Sequence, residues 1–318
     1  TCLKAHRNKL YHLGIKQYVN QSTLSRANER RNFQIFADFG NYLIQQVRPM
    51  YASEPIPNID IENEVFALDS TTISLSLKLF SWAPGKYSRG AVKVHALLDL
   101  RGSIPVFIHI TDGKYHDSNV LDIITPVPEA IYLMDKAYID FVALHNIHKA
   151  SAFFVSRAKV TMAFKVVECN YNIDESTGLR SDKTIVLTGH KSKKLYPEIL
   201  RMVEYYDYDK GVLLVFLTNN LEVSALEVAR LYRNRWQIEV FFKWIKQNLT
   251  IKKLWGQSEN AVSIHIWVAI CTYLIVAYVK HSLNSKLSIY EIMQILGISA
   301  FDKTPVRELL TEIQVNQN

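Results

Sequence analysis

Three carboxylates stand where this chain of 318 residues offers chemistry. Asp69 closes the apolar run Val65-Phe-Ala-Leu, and Asp135 closes a second run, Ala130-Ile-Tyr-Leu-Met. Glu239 lies in the segment Leu231–Asn248, where Tyr232, Arg235, Glu239 and Lys246 recur at i, i+3, i+7 and i+14. At about 100° per residue these four share one helical stripe, with Lys243 at its edge. Leu231, Ile238, Phe242 and Ile245 border the stripe on one side, and Trp236, Val240 and Trp244 on the other. Large apolar residues on both borders do not belong to an ordinary solvated face. One carboxylate among cations in such a strip points to a semi-buried site for metal and phosphate. The plainer alternative is an i,i+4 ion pair between Arg235 and Glu239 with snorkelling lysines.

Active groups collect where strands end, because backbone pairing stops there while the scaffold stays rigid. Two such aspartates on neighbouring strands, with Glu239 from a helix laid across them, would form a three-carboxylate pocket. Hard oxygen ligands suit Mg²⁺ or Mn²⁺, and two ions about 4 Å apart activate the attacking oxygen and stabilise the leaving one. Arg235 and Lys246 would hold phosphates beside them. Taken singly, Asp69 and Asp135 also suit turns or helix caps. Asp99, Asp112 and Asp117 are rivals in the same region, Asp99 fitting a hairpin turn before Arg101-Gly102. His95 and His116 have no His or Cys partner at zinc-like spacing, which favours structural roles.

The elements that must position these groups follow from pattern. Val65–Asp69, Ala91–Leu100, Ile104–Ile110, Ala130–Asp135 and Ala152–Val155 suit strands, and Ser118–Ile124 and Phe141–Lys149 suit helices. The order β-β-β-α-β-α-β makes an α/β mixed sheet covered by helices. Phe164–Val167, Thr184–Leu187 and Val212–Leu217 predict a β-rich insertion before one long helix, Ala225–Asn248. Residues 1–50 look helical, with Ser22 as a candidate N-cap, and the region around Gly14–Gln21 suits either a plain helical appendage or a helix-turn-helix-like unit. Pro49–Ile61 is linker-like.

Charge supports a polyanionic partner. The net charge is +7, and residues 1–50 hold eight Lys/Arg against two acids. Residues 230–254 hold seven against Glu239 alone, leaving the remainder net acidic. Two basic zones at opposite ends of a near-neutral body suggest a polyanion gripped at more than one place, with Arg26, Arg30 and Arg31 as candidate contacts in the first zone. Cys2, Cys169 and Cys271 fit neither a disulfide framework nor a zinc site, which predicts a reducing compartment. Ala261–Val279 is apolar but interrupted by Ser263, His265 and Thr272, and suits a core helix better than a membrane span. The chain opens on Thr1, so an N-terminal portion is expected to be missing.

Together, Asp69-Ser70-Thr71, Asp135-Lys136-Ala137-Tyr138 and Tyr232-x2-Arg235-x3-Glu239-x6-Lys246 resemble the signature of DDE transposases of bacterial insertion sequences, and most of all the IS-four family with its Tyr-Arg-Glu-Lys motif. The resemblance runs over roughly residues 60–285. It implies a ribonuclease-H-like core in which Asp69, Asp135 and Glu239 are catalytic and bind two Mg²⁺ ions, Mn²⁺ substituting. It also implies phosphate contacts for Tyr232, Arg235 and Lys246, with Lys243 beside them. A homodimer holding two terminal repeats of double-stranded DNA, joined then to target DNA, is implied as well. Some relatives stack a flipped base on a Trp of the β insertion; here none lies between Trp82 and Trp236, which puts a hairpin intermediate in doubt.

The expected division is an N-terminal helical DNA-binding segment (1–58), a first core part (59–160), a β-rich insertion (161–220), a second core part (221–285) and a helical tail (286–318). The expected function is metal-dependent cleavage at element ends followed by strand transfer, in the bacterial cytoplasm at the nucleoid and away from membranes. A ribonuclease-H-like nuclease without strand transfer, or an inactive domesticated DNA-binding copy, are the alternatives.

Overall fold

The run Val65-Phe-Ala-Leu68 is buried on both faces, as only a strand with neighbours on either side and cover above and below can be. In the computed structural model, which describes residues 7–16, 19–76, 80–83, 85, 90–248, 256–299 and 303–315, that run starts β1 (Val65–Leu75) at the heart of a nine-stranded sheet. Its companions are β2 (Gly90–Asp99), β3 (Ile104–Asp112), β4 (Ile131–Met134) and β5 (Phe153–Arg157). Then come β6 (Phe164–Asn170), β7 (Leu179–Leu187), β8 (Leu200–Asp207) and β9 (Val212–Thr218). The spatial order is β3-β2-β1-β4-β5-β9-β8-β7-β6. β4 runs parallel to both β1 and β5, while β2 and β3 are antiparallel to each other. The first five strands thus form a mixed sheet, and β9 joins β5 antiparallel, so the extra strands lengthen that sheet.

Turn and cap chemistry fixes the ladder. Between β2 and β3 the Arg101 N–H donates to Asp99 Oδ1 at 3.0 Å, and Gly102 takes φ +72, open to glycine at little cost. Asp99 is therefore the turn residue its position predicts. Of the helices, α1 (Gln21–Arg30), α2 (Gln34–Val47), α3 (Phe141–Lys149), α4 (Ala225–Asn234) and α5 (Trp236–Asn248) precede α6 (Glu259–Ser282), α7 (Ile289–Ser299) and α8 (Val306–Val315). α3 is capped by Asp140, whose carboxylate accepts from the Val142 and Ala143 N–H groups. It buries Ala143, Leu144 and Ile147 in a core with Phe66, Leu68, Tyr132 and Phe154.

The chain divides into two compact units, residues 53–74 with 84–242, and residues 1–52 with 75–83 and 243–318. The first holds the sheet and α3–α4. In the second, α2 lies along α6, where a Cβ on Gly40 would stand 2.8 Å from the Trp267 ring. The Tyr51 hydroxyl donates to the Ala277 carbonyl at 2.8 Å. α6 is long and apolar enough to cross a membrane by length and composition, yet 67% of its most apolar window is buried.

Several sequence expectations shift. β1 runs on to Leu75, so Asp69 lies inside the strand rather than at its end. β8 is an added strand whose alternation is masked by Arg201; the guanidinium is buried against Asp182, at 2.8 Å from Nε to Oδ1 and 2.9 Å from Nη2 to Oδ2. Ser118–Ile124 is a 3₁₀ turn, Asp117–Asp122. The long helix is two, α4 and α5. The Arg235 and Ile238 N–H groups bond three residues back, and the Asn234 amide donates to the Pro57 carbonyl at 3.0 Å. Likewise α1 and α2 are separate, and Ser22 is not the cap: α1 starts at Gln21 after Asn20. Asn260 fills that break, accepting from the Phe33 N–H at 2.9 Å and donating to the carbonyls of Asn28 and Arg31. Gly14–Gln21 lies partly outside the described residues, as do Cys2, Lys4, Lys252 and Lys253.

Candidate active site

Asp69 and Asp135 are placed by one ladder. β1 and β4 pair in parallel from Val65↔Ile131 to Leu68↔Met134, and one further step in that register sets Asp69 beside Asp135. The β1–β4 pairing ends at Leu68↔Met134, so both carboxylates stand just beyond the last paired residues on a rigid base. The Asp135 carboxylate also caps the short turn after it, accepting from the Lys136 N–H at 2.7 Å. The cap expected as its plainer role is thus present alongside its place next to Asp69.

Glu239 reaches this pair through Arg235. The guanidinium, at the joint between α4 and α5, donates from Nη1 to Asp69 Oδ2 at 2.8 Å and from Nη2 to Glu239 Oε1 at 2.7 Å. Side-chain exposure is 14% for Arg235, 22% for Asp69 and 59% for Glu239, so the Asp69 contact is the desolvated one. Burial raises the Asp69 carboxyl above its usual range, and the charge of Arg235 only partly opposes it. Tyr232 completes the group. Its ring lies 5.6 Å from the guanidinium carbon and 4.9 Å from the Phe216 ring. Its hydroxyl donates to Asp135 Oδ1 over a long 3.5 Å, and burial pushes that phenol up to about 12.

The stripe is therefore only partly what its spacing predicts. The i,i+4 pair between Arg235 and Glu239 exists, and Arg235 binds carboxylates through both terminal nitrogens while its Nε is buried without a partner. Leu231, Ile238, Phe242 and Ile245 are buried as the apolar border requires. On the other border Trp244 is buried, while Trp236 and Val240 are 52% and 49% exposed. Lys243 and Lys246, described with the helical unit, are exposed, as are Arg26, Arg30 and Arg31 of the α1 region.

The carboxylate oxygens of Asp69 and Glu239 hold the Arg235 guanidinium between them, and they are hard donors of the type that Mg²⁺ or Mn²⁺ prefers. Among the described residues no three His, Cys, Asp or Glu side chains are gathered into one ligand cluster. Asp69 and Glu239 share the guanidinium, while Asp135 is turned toward Tyr232. The donors fit a divalent ion in kind, with Arg235 in the central place.

Pattern alone missed two groups. Arg157, the last residue of β5, follows the Met134↔Ser156 pair and lines a cleft of about 1210 Å³ with Lys210, Arg230, Arg233, Tyr232 and Glu239. Lys93 lies in a strand that is buried along its whole length. A lone Lys inside an apolar run was its available signal. His95 is fully buried, with Nε2 3.1 Å from the Thr111 hydroxyl, and the His116 side chain accepts from the Ser118 N–H, so both are structural.

Residues 61–275 match the model of the transposase DDE domain. The chain is 32% identical over 256 residues to the putative transposase y4zB of Sinorhizobium fredii, covering 80% of this chain and 69% of that one. It is 28% identical over 226 residues to a probable transposase for insertion sequence element IS5377 of Geobacillus stearothermophilus, covering 70% of this chain and 59% of that one. A third similar protein, a putative transposase for insertion sequence element IS4SA of Synechocystis, is 27% identical over 262 residues, covering 81% and 71%. Among solved structures, the piggyBac transposase synaptic complex with hairpin DNA aligns at TM-score 0.43 and 11% identity, covering 79% of this chain and 56% of that one.

Proposed function

We propose the following chemistry for this chain, which belongs to the transposase DDE-domain family. Membership makes it a DNA transposase whose reaction depends on divalent metal. Asp69, Asp135 and Glu239 are the catalytic carboxylates and would hold two Mg²⁺ ions, Mn²⁺ substituting. Bound there, such ions lower the pKa of water and neutralise charge on the reacting phosphate. The observation that carries this reading is the register placing Asp69 beside Asp135, with Glu239 tied to Asp69 through Arg235.

Two in-line displacements use the same pocket. In the first, a water oxygen bonds to phosphorus at the element end and the P–O3′ bond breaks, leaving a 3′-OH and a 5′-phosphate. In the second, that 3′ oxygen bonds to a target phosphorus, and the target's own P–O3′ bond breaks. The first displacement hydrolyses one phosphodiester bond, and the second makes one for the one it breaks, so no energy source is required. Tyr232, Arg235, Lys243 and Lys246 hold phosphates of the element end, and Arg26, Arg30 and Arg31 grip DNA further along. Arg235 must then exchange a carboxylate for a phosphate oxygen, which its fork geometry permits. Two chains, each holding one terminal repeat, make the working homodimer, acting at the bacterial nucleoid. The division at 58, 160, 220 and 285 is kept as the functional one.

The test is cleavage of end-sequence DNA with Mg²⁺, resolving nicked, hairpin and joined products. Asp69→Ala, Asp135→Ala and Glu239→Ala should each abolish cleavage while DNA binding survives. Full cleavage by any one purified variant refutes the assignment.

A further inference from the structure

Next to Asp69 lies a charge pair that the phosphate chemistry does not use, its Lys93 side chain 10% exposed and its Asp117 side chain 26% exposed. Ser70 follows Asp69 in β1, and its N–H donates to Asp69 Oδ1 at 2.8 Å. Its hydroxyl donates to Asp117 Oδ1 at 2.7 Å. The same Asp117 oxygen accepts from Lys93 Nζ at 3.0 Å, and Lys93 donates also to the Tyr115 carbonyl at 2.8 Å. His95 Nδ1 stands 3.8 Å from that oxygen, buried and without a hydrogen bond. The Tyr138 hydroxyl, three residues after Asp135, is also buried, beside Ser70 and in the electrostatic reach of Asp69 and Asp117.

A lysine buried on a central strand is costly unless something fixed repays its desolvation. Packing alone does not need a cation here, since the strand is buried along its whole length and, His95 and Asp99 apart, its other residues are apolar. Three elements meet at Asp117 Oδ1: β1 through Ser70, β2 through Lys93, and the 3₁₀ turn carrying Asp117 itself. The pair therefore locks the backbone of β1 at the one residue whose N–H orients the Asp69 carboxylate.

We propose that Lys93 and Asp117 are positioning residues, which hold Ser70 and through it the Asp69 carboxylate in the orientation that takes a divalent ion. This rests on the metal-binding role proposed for Asp69. Outer hydrogen-bond partners of ligating carboxylates typically change metal affinity by about 10–100-fold when removed.

The experiment measures Mn²⁺ affinity of the full chain by electron paramagnetic resonance of the free ion, beside thermal unfolding and fluorescence-anisotropy binding of a labelled 20-base-pair duplex. Ser70→Ala and Asp117→Asn should weaken Mn²⁺ binding about tenfold and leave duplex binding within about twofold. The double variant Lys93→Met with Asp117→Leu removes both charges and should recover thermal stability relative to Asp117→Asn. Positioning requires that its Mn²⁺ affinity stay low; affinity recovering in step with stability overturns it. Ser70→Ala keeps the charge pair and supplies the measurement if Asp117→Asn does not fold. Wild-type chain that binds Mn²⁺ and loses it in Asp69→Ala, but keeps it in Ser70→Ala, overturns the positioning role alone. Wild-type chain with no Mn²⁺ binding overturns the metal reading and this inference together.

Discussion

Replacing Arg235 by Met removes the cation between Asp69 and Glu239 while keeping most of the volume. Two contacts are lost, and they differ in worth. The Glu239 contact involves a side chain 59% exposed, so solvent screening leaves it about 0–1 kcal/mol. The Asp69 contact joins side chains 14% and 22% exposed at 2.8 Å. Removing one partner of a buried pair costs about 3–5 kcal/mol, and the residual exposure here argues for the low end. The sum is about 3 kcal/mol at neutral pH, or roughly 6–12 °C in the unfolding temperature for a unit of 150–250 residues.

The pH dependence separates charge from packing. Burial raises the Asp69 carboxyl in the folded chain, so between the usual 3.8 and its folded value the folded state binds more protons and stability falls as pH rises. Arg235 opposes that rise, and Arg235→Met should enlarge it. The deficit of the variant should therefore be full at pH 7 and shrink toward pH 4, where protonated Asp69 needs no counter-charge. Thermal unfolding followed by circular dichroism at both pH values decides it. A shift below about 2 °C at pH 7, or a deficit of equal size at both, refutes the counter-charge role.

Lys246→Ala should weaken DNA binding and lower the slope of log affinity against log salt by about one; an unchanged slope removes its phosphate role. Arg201→Met strands the Asp182 carboxylate, 6% exposed, and should cost about 3–5 kcal/mol, most of it recovered with Asp182→Leu. Burial alone would raise Asp182, but the hydrogen bonds and charge of Arg201 hold it below the usual range. Its contribution is therefore full above about pH 3.8 and lost as pH falls through the folded value, giving the variant a shallower acid limb in a stability titration. Asn260→Ala should cost about 1–2 kcal/mol by uncapping the α1–α2 break, seen as faster hydrogen exchange at the Phe33 amide; unchanged protection rejects that role.

Local pattern made several elements legible. Apolar runs located β2, β3, β4 and β5, and α3 has the bounds its periodicity predicts. The succession of elements along the chain pointed to a mixed sheet, while the spatial strand order came from the fold. What escaped was set by partners distant in sequence. β8 was hidden because a buried Arg reads as polar until Asp182 is seen beside it. The α4–α5 break could not be read from a periodic segment, since Asn234 is held by Pro57, far back along the chain. Asp69 looked like a strand terminus because its two-sided burial stops there, although the strand itself continues to Leu75.

By itself the sequence determined the chemical inventory: three carboxylates, a Tyr-Arg-Glu-Lys spacing, and two basic zones, which together name a family. Residue types and intervals suffice there because the chemistry needs particular atoms at particular points. The tertiary structure alone decided which of those atoms meet. A parallel register put Asp69 next to Asp135, and a helix joint turned Arg235 inward onto Asp69 and Glu239. The Lys93–Asp117 pair was brought beside Ser70. Each is a long-range pairing whose free energy comes from desolvated contact, and no local spacing encodes it.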